Sequence, residues 1–200
     1  MEQVTFYANA AALGIVIVLW FAFAGTFFLR KRPESAPDAK RSEKSWVGLI
    51  LQGVGFALVW SMQRRPVFSP IIDTQPAISL IFDIIAIVFA FSSVWLAMAA
   101  IKELGKQWSL AARLVEGHKL VTTGVYQVVR HPIYTAMFGM LIATGIALSH
   151  WVGLVGGIIV FCIGTKIRTI FEERLLNDAF GSEFTEWRAK VPSLIPFVKI

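Results

Sequence analysis

Five stretches of the chain are apolar almost without interruption, and polar connections set most of them apart. They run from Phe6 to Leu29, from Trp46 to Met62, from Pro76 to about Ile101, from Ile133 to Ser149 and from Trp151 to about Ile170. A helix needs roughly 20 apolar residues to cross a bilayer, so each stretch is read as a spanning helix, the second of them short. Only His150 stands between the last two, which predicts a tight helical hairpin. Ala22-Phe23-Ala24 imitates a signal-peptidase site. The segment is long, nearly uncharged at its start and followed by a basic cluster, so it reads as a retained helix.

Composition confirms the class. Of 200 residues, 56% are hydrophobic and 16% charged, and the 7 Trp, 3 Tyr and 16 Phe add large apolar surfaces. A soluble fold of this length has too little interior to hide them. A soluble enzyme, a nucleic-acid-binding module and a disulfide scaffold are all excluded. The single cysteine, Cys162, sits in an apolar stretch and reads as a small buried hydrophobe.

The net charge of +6 acts through its placement. Lys and Arg crowd the connections after the first, third and fifth stretches, whereas the second connection has only Arg64 and Arg65 and the hairpin tip none. Basic residues stay on the cytoplasmic side, which orients the chain N-out and C-in. The expected architecture is therefore an all-α integral membrane bundle of five transmembrane helices in one domain. The first three helices occupy 1–101, and a catalytic half with the cytoplasmic connector, the fourth and fifth helices and a C-terminal cytoplasmic helix occupies 102–200. Thr135, Gly139, Ala143 and Ala147, and then Gly153 and Gly157, form small-residue stripes that let helices approach closely in lipid.

Two cytoplasmic segments carry more polar residues than anchoring requires. One holds His118, Lys119, Tyr126, Arg130, His131 and Tyr134; the other holds Arg168, Glu172, Glu173, Arg174, Glu183 and Trp187. The hairpin brings them together as a cation-and-histidine group facing a carboxylate group. Pro132 suits the first turn of a helix and biases His131 toward extended geometry. Arg168 and Glu172 are four apart and share a helix face. No glycine-rich nucleotide turn, CxxC or HExxH pattern is present, and no metal site is expected.

The stretch from Glu116 to Tyr134, with Arg130-His-Pro-Ile-Tyr134 at its end, is followed by Glu172-Glu-Arg-Leu-Leu-Asn-Asp-Ala-Phe-Gly181 and Val191-Pro-Ser-Leu-Ile-Pro196. In order and spacing these resemble the isoprenylcysteine carboxyl methyltransferase family, over roughly residues 102–198. The related phospholipid N-methyltransferases share the first two elements. The resemblance implies an S-adenosylmethionine-dependent methyltransferase whose site faces the cytoplasm. Cofactor contacts carry over to His118, Lys119, Leu120, Val121, Tyr126, His131, Pro132, Ile133, Tyr134 and Glu172, and the acceptor-binding arginine to Arg168. Where the family often has Gly, Gln and Tyr, this chain has Ala136, Ala111 and Phe184.

That chemistry fits the residues. Glu172 suits an ammonium or sulfonium, and His131 with the Pro132 helix start suits a tail carboxylate. Methyl transfer is an in-line displacement, so positioning supplies most of the catalysis. A carboxylate acceptor is already ionised and needs no base. Arg168 would align it. An amine acceptor would need Glu173 or His131 as base. The expected acceptor is a prenylated or otherwise lipophilic carboxylate entering from the membrane lipid, with no nucleic acid and no obligate protein partner. A phospholipid amine is the alternative, and an NADPH-dependent reduction a more distant one. Asp83 is expected to pair with Arg64 or Arg65, or to hydrogen-bond within the bundle, and His150 to be interfacial.

Overall fold

A computed structural model describes residues 2–28, 38–41, 45–71, 75–109, 113–115 and 117–196. Leu29, Ala111 and Glu116, named above, lie outside these. The chain forms α1 (Glu2–Phe28), β1 (Asp38–Arg41), α2 (Ser45–Ser61), α3 (Pro76–Leu104), β2 (Arg113–Val115), α4 (Pro132–Leu148), α5 (Trp151–Phe180) and α6 (Ser182–Lys190). Three of the helices, α1, α3 and α5, are long and apolar enough to cross a membrane; α2 and α4 are equally apolar but shorter.

All five helices run between the same two ends of the bundle. At one end Asn9 of α1 donates to the carbonyl of Phe68 and accepts from Ser79 at the start of α3. The backbone of Met62, just past α2, accepts from His150 at the hairpin tip there. At the other end Phe27, Leu49, Leu104, Pro132 and Glu172 surround one cavity.

The expected hairpin forms, with Ser149 and His150 between its helices. Its packing differs from the simplest reading of the sequence, because α5 lies most extensively along α2 and α4 along α3. Small residues decide both pairings. A Cβ at Gly48 would stand 2.5 Å from the Gly164 carbonyl oxygen, and one at Gly55 would stand 2.8 Å from that of Gly157. The seven-residue spacings on α2 and α5 therefore mesh antiparallel at backbone contact. On α3 the matching stripe is Ala86, Ala90, Ser93 and Ala97, facing Ala136, Gly139, Met140 and Ala143 of α4. Helix α4 is the centre of the bundle, with 12 of its 17 residues buried, so whatever its first turn carries is held from all sides.

The architecture is all-α as expected, with two additions. The strands β1 and β2 pair antiparallel as a small ribbon, with Lys40 opposite Leu114. Leu114 packs on Leu175 of α5 and attaches the ribbon to the bundle. Helix α5 also continues about ten residues past Ile170. Its 30 residues span about 45 Å, longer than a hydrocarbon core of roughly 30 Å. The hydropathy falls at Glu172, but Glu-Glu-Arg-Leu-Leu are strong helix formers and keep the helix going. Gly181, at φ +53°, ends it and starts α6.

Asp83 does not take Arg64 as a hydrogen-bond partner. Buried Arg64 instead donates to the carbonyls of Ile146, Ala147 and Ser149 at the end of α4, at 2.8 to 3.0 Å, and to Ser69. Those are the carbonyls a helix end leaves without partners. Asp83 Oδ2 is buried without a hydrogen bond among the described residues. His150 caps α5, its Nδ1 accepting from the Val152 N–H at 3.3 Å.

Candidate active site

The site is assembled where the start of α4 meets the polar extension of α5. Gly124, at φ +57°, opens a 3-10 turn over Gly124–Gln127 that carries Tyr126 inward. A Cβ at this glycine would meet the Glu103 carboxylate at 2.5 Å, and Glu103 in turn accepts from Thr123. His131 has φ −124°, as a residue before proline should, and Pro132 begins α4. One turn on, Tyr134 faces Arg168, Glu172 and the cavity.

Tyr134, Arg168 and Glu172 form a closed triangle. Arg168 Nε donates to the Tyr134 hydroxyl at 2.7 Å, Arg168 Nη2 lies 3.4 Å from Glu172 Oε1, and the Tyr134 hydroxyl donates to that same oxygen. The guanidinium also stands 5.2 Å from the Tyr134 ring centre. Arg168 is a delocalised cation held by a carboxylate, a phenol and a π face at once, so its orientation is set before any ligand arrives.

His131 lies between the two glutamates. Its Nδ1 is 3.6 Å from Glu172 Oε2 and its Nε2 is 3.2 Å from Glu173 Oε1, with the ring stacked on Tyr134. Burial by itself would lower the imidazole's pKa, but the two carboxylates outweigh it and hold the pKa above its ordinary value. Both ring nitrogens are thereby engaged. Any ligand group would compete with both glutamates for His131, which contacts Glu172 directly.

Glu173 is turned away from the cavity. Its Oε1 receives Arg130 Nε at 3.0 Å and Nη2 at 2.9 Å, and its Oε2 lies 3.2 Å from Arg188 Nε of α6. Against the effect of burial, His131 and Arg130 hold its pKa down to about 2, which makes this carboxylate a poor proton acceptor.

The cavity encloses about 190 Å³. Of the residues expected to touch a ligand, His118, Leu120, Val121, Tyr126, His131, Pro132, Ile133, Tyr134, Arg168 and Glu172 line it, whereas Lys119 and Glu173 do not. Lys119 is exposed and takes part through its backbone, donating to the Gln107 side chain. Burial lowers the His118 pKa and so favours its neutral form. Burial first, with Glu172 and Glu103 nearby, raises that of Tyr126 and keeps it a phenol. Two buried polar atoms on the wall have no hydrogen bond among the described residues, His118 Nδ1 and the indole Nε1 of Trp187. Such atoms are costly to leave unmatched.

A family model described as phospholipid methyltransferase matches residues 81–183, which include Tyr126, His131, Tyr134, Arg168 and Glu172. The chain belongs to the phospholipid methyltransferase family. Among individual relatives of this family member, protein-S-isoprenylcysteine O-methyltransferase of Schizosaccharomyces pombe is 30% identical over 155 residues, 75% of this chain and 62% of that protein. Protein-S-isoprenylcysteine O-methyltransferase B of Arabidopsis thaliana is 36% identical over 86 residues, 43% of this chain and 44% of that protein. The Homo sapiens protein-S-isoprenylcysteine O-methyltransferase is 37% identical over 82 residues, 41% and 29% of the two. The matches thus span less than two thirds of the length of these curated relatives.

Within the family frame, several wall residues escaped sequence reasoning. Phe27, Leu49 and Met137 come from apolar helices in which nothing marks one residue above its neighbours. Gln107 and Trp108 lie on the connector after α3. Gln107 supplies a glutamine to the cavity from a position four residues before Ala111, where spacing alone had looked for it.

Proposed function

We propose that the chain is an integral membrane methyltransferase that uses S-adenosylmethionine and methylates the carboxylate of a lipophilic acceptor, of which prenylated cysteine is the model. In this reading five helices span the membrane, N-terminus outside, and the cavity opens on the cytoplasmic side. The helices' common two ends support it, since the Lys- and Arg-rich connections join helix ends on the cavity side. The observation that carries the reading is the Tyr134–Arg168–Glu172 triangle on the wall of a single cavity, inside the stretch that matches the family.

The wall suits the cofactor on its own chemistry. Glu172 offers a carboxylate to an ammonium or sulfonium, Leu120, Val121 and Leu175 offer apolar surface to a ring, and His118 Nδ1 and Trp187 Nε1 have no hydrogen-bond partner among the described residues. When bound, S-adenosylmethionine supplies an electrophilic methyl group. Everything else falls to the protein. Glu172, fixed by His131, Tyr134 and Arg168, holds a cation at one point of the wall. Arg168 aligns an anionic acceptor by charge and fork geometry. Leu49, Met137 and Phe27 keep water from the reacting atoms and give a hydrocarbon tail its surroundings. No proton has to be removed from an ionised carboxylate.

A phospholipid amine acceptor is the second reading, favoured by the description of the family itself. It requires a base, and Glu173 and His131 are both held in ion pairs. The carboxylate is therefore preferred.

The test uses the full chain purified in detergent. S-adenosylhomocysteine and S-adenosylmethionine should bind, NADPH should not, and Glu172→Gln should abolish the binding. Radiolabelled methyl groups transferred to a prenylated cysteine should then be released by mild alkali, as an ester is. Alkali-stable label on phosphatidylethanolamine would select the amine reading. Binding of NADPH alone would overturn methyl transfer altogether.

A further inference from the structure

Four successive carbonyls after α6 are bound by the turn that opens α4. Val191 and Arg188 accept from Arg130 Nη1, Pro192 from the Arg130 N–H at 2.9 Å, Ser193 from the His131 N–H at 3.0 Å, and Leu194 from Thr135 Oγ1 at 2.7 Å. The same arginine's remaining nitrogens, Nε and Nη2, reach the Glu173 carboxylate, whose other oxygen faces Arg188. One buried guanidinium thus holds the strap 191–194, α5 and α6 together, next to the residue that orients Glu172.

We propose that Arg130 and Glu173 form a latch whose function is positioning: it docks the strap and α6 against the cavity and, through His131, fixes the carboxylate of Glu172. Glu173 does not line the cavity, and Arg130, which does, has its guanidinium nitrogens taken by Glu173 and the Arg188 and Val191 carbonyls. The latch acts on two walls, because α6 also carries Trp187. The charged and titratable groups around His131 among the described residues are these. Glu172 and Glu173 face it from α5, Tyr134 stacks on it from α4, Arg130 precedes it, and Arg168 and Arg188 reach it only through the glutamates. Removing the Glu173 charge leaves Arg130 and Arg188 uncompensated beside His131 and favours the neutral imidazole, so Glu172 loses one of its partners. Arg188, being 57% exposed, is the minor arm.

The experiment rests on the methyl-transfer reading only in its ligand arm. His131 of the full chain in detergent micelles is titrated by NMR, and S-adenosylhomocysteine binding is measured across pH, for the native protein, Glu173→Gln, Arg130→Lys and Arg188→Ala. Glu173→Gln should lower the His131 midpoint by about one pH unit or more and weaken binding about tenfold, that unit being a tenfold change in the protonation equilibrium. Arg130→Lys, which keeps the charge and loses the fork, should give an intermediate weakening, and Arg188→Ala a change under about threefold. An unshifted His131 midpoint in Glu173→Gln with its native thermal transition retained overturns the latch. Failure of the native protein to bind S-adenosylhomocysteine overturns the cofactor reading instead, and the titration still decides the latch.

Discussion

Arg168 donates through Nε to the hydroxyl of Tyr134 at 2.7 Å, and that hydroxyl passes the contact on to Glu172. The cation proposed to align an anionic acceptor and the carboxylate proposed to face a cationic donor are therefore one hydrogen-bonded unit. Tyr134→Phe keeps the ring under the guanidinium and removes the relay. A hydrogen bond to a charged group contributes about 1.5–3 kcal/mol, and about 1.4 kcal/mol is tenfold in a constant. The acceptor KM should rise about tenfold or more, with the protein still folded. Steady-state kinetics on a prenylated cysteine check this, and an unchanged KM would remove Tyr134 from the acceptor side.

His131 makes stability depend on pH with a definite sign. Its folded pKa is raised above the ordinary 6.5, so the stabilisation is fully present below that value and is lost as pH rises through the higher folded pKa. The thermal transition of the native protein should fall as pH increases from about 6.5 upward. In His131→Asn the same interval should be flatter. A parallel fall in both proteins would assign the effect elsewhere.

Gly48 sits where an added methyl has no room: the nearest atoms are the Gly164 carbonyl oxygen at 2.5 Å and Arg168 Cγ at 2.6 Å. Overpacking of this kind costs typically about 1–3 kcal/mol. Gly48→Ala should lower the thermal transition and, by pushing on Arg168, also weaken the acceptor. Gly14→Ala on α1, where nothing lies within 4 Å, should do neither.

Arg64→Ala should separate stability from function. It strips donors from three carbonyls at the end of α4 and one in the loop, and each orphaned buried acceptor costs about 1–3 kcal/mol. A loss of about 3 kcal/mol or more is expected in thermal or denaturant unfolding. Ligand affinity should stay native in the folded fraction, because Arg64 and the cavity lie at opposite ends of the bundle. Impaired binding in fully folded Arg64→Ala would contradict that separation.

The sequence by itself determined the membrane character, the helices and the two polar segments. Those properties are local: about 20 apolar residues in a row, a proline after His131, or Arg168 and Glu172 one turn apart remain so in any tertiary arrangement. It also put Tyr126, Tyr134, Arg168 and Glu172 in one place, since a hairpin returns its two ends to the same side. Partner choice was beyond it. Gly153 and Gly157 announce a close approach but not that α2 is what approaches, because a stripe of small residues fits any other. Arg64 is one of two adjacent arginines in the sequence, and only the placement of the α4 terminus makes it a cap. The roles of Glu172 and Glu173 separated for the same reason. They are chemically identical neighbours, and helix geometry turns consecutive side chains about 100° apart. The fold then decides which meets the cavity and which meets Arg130.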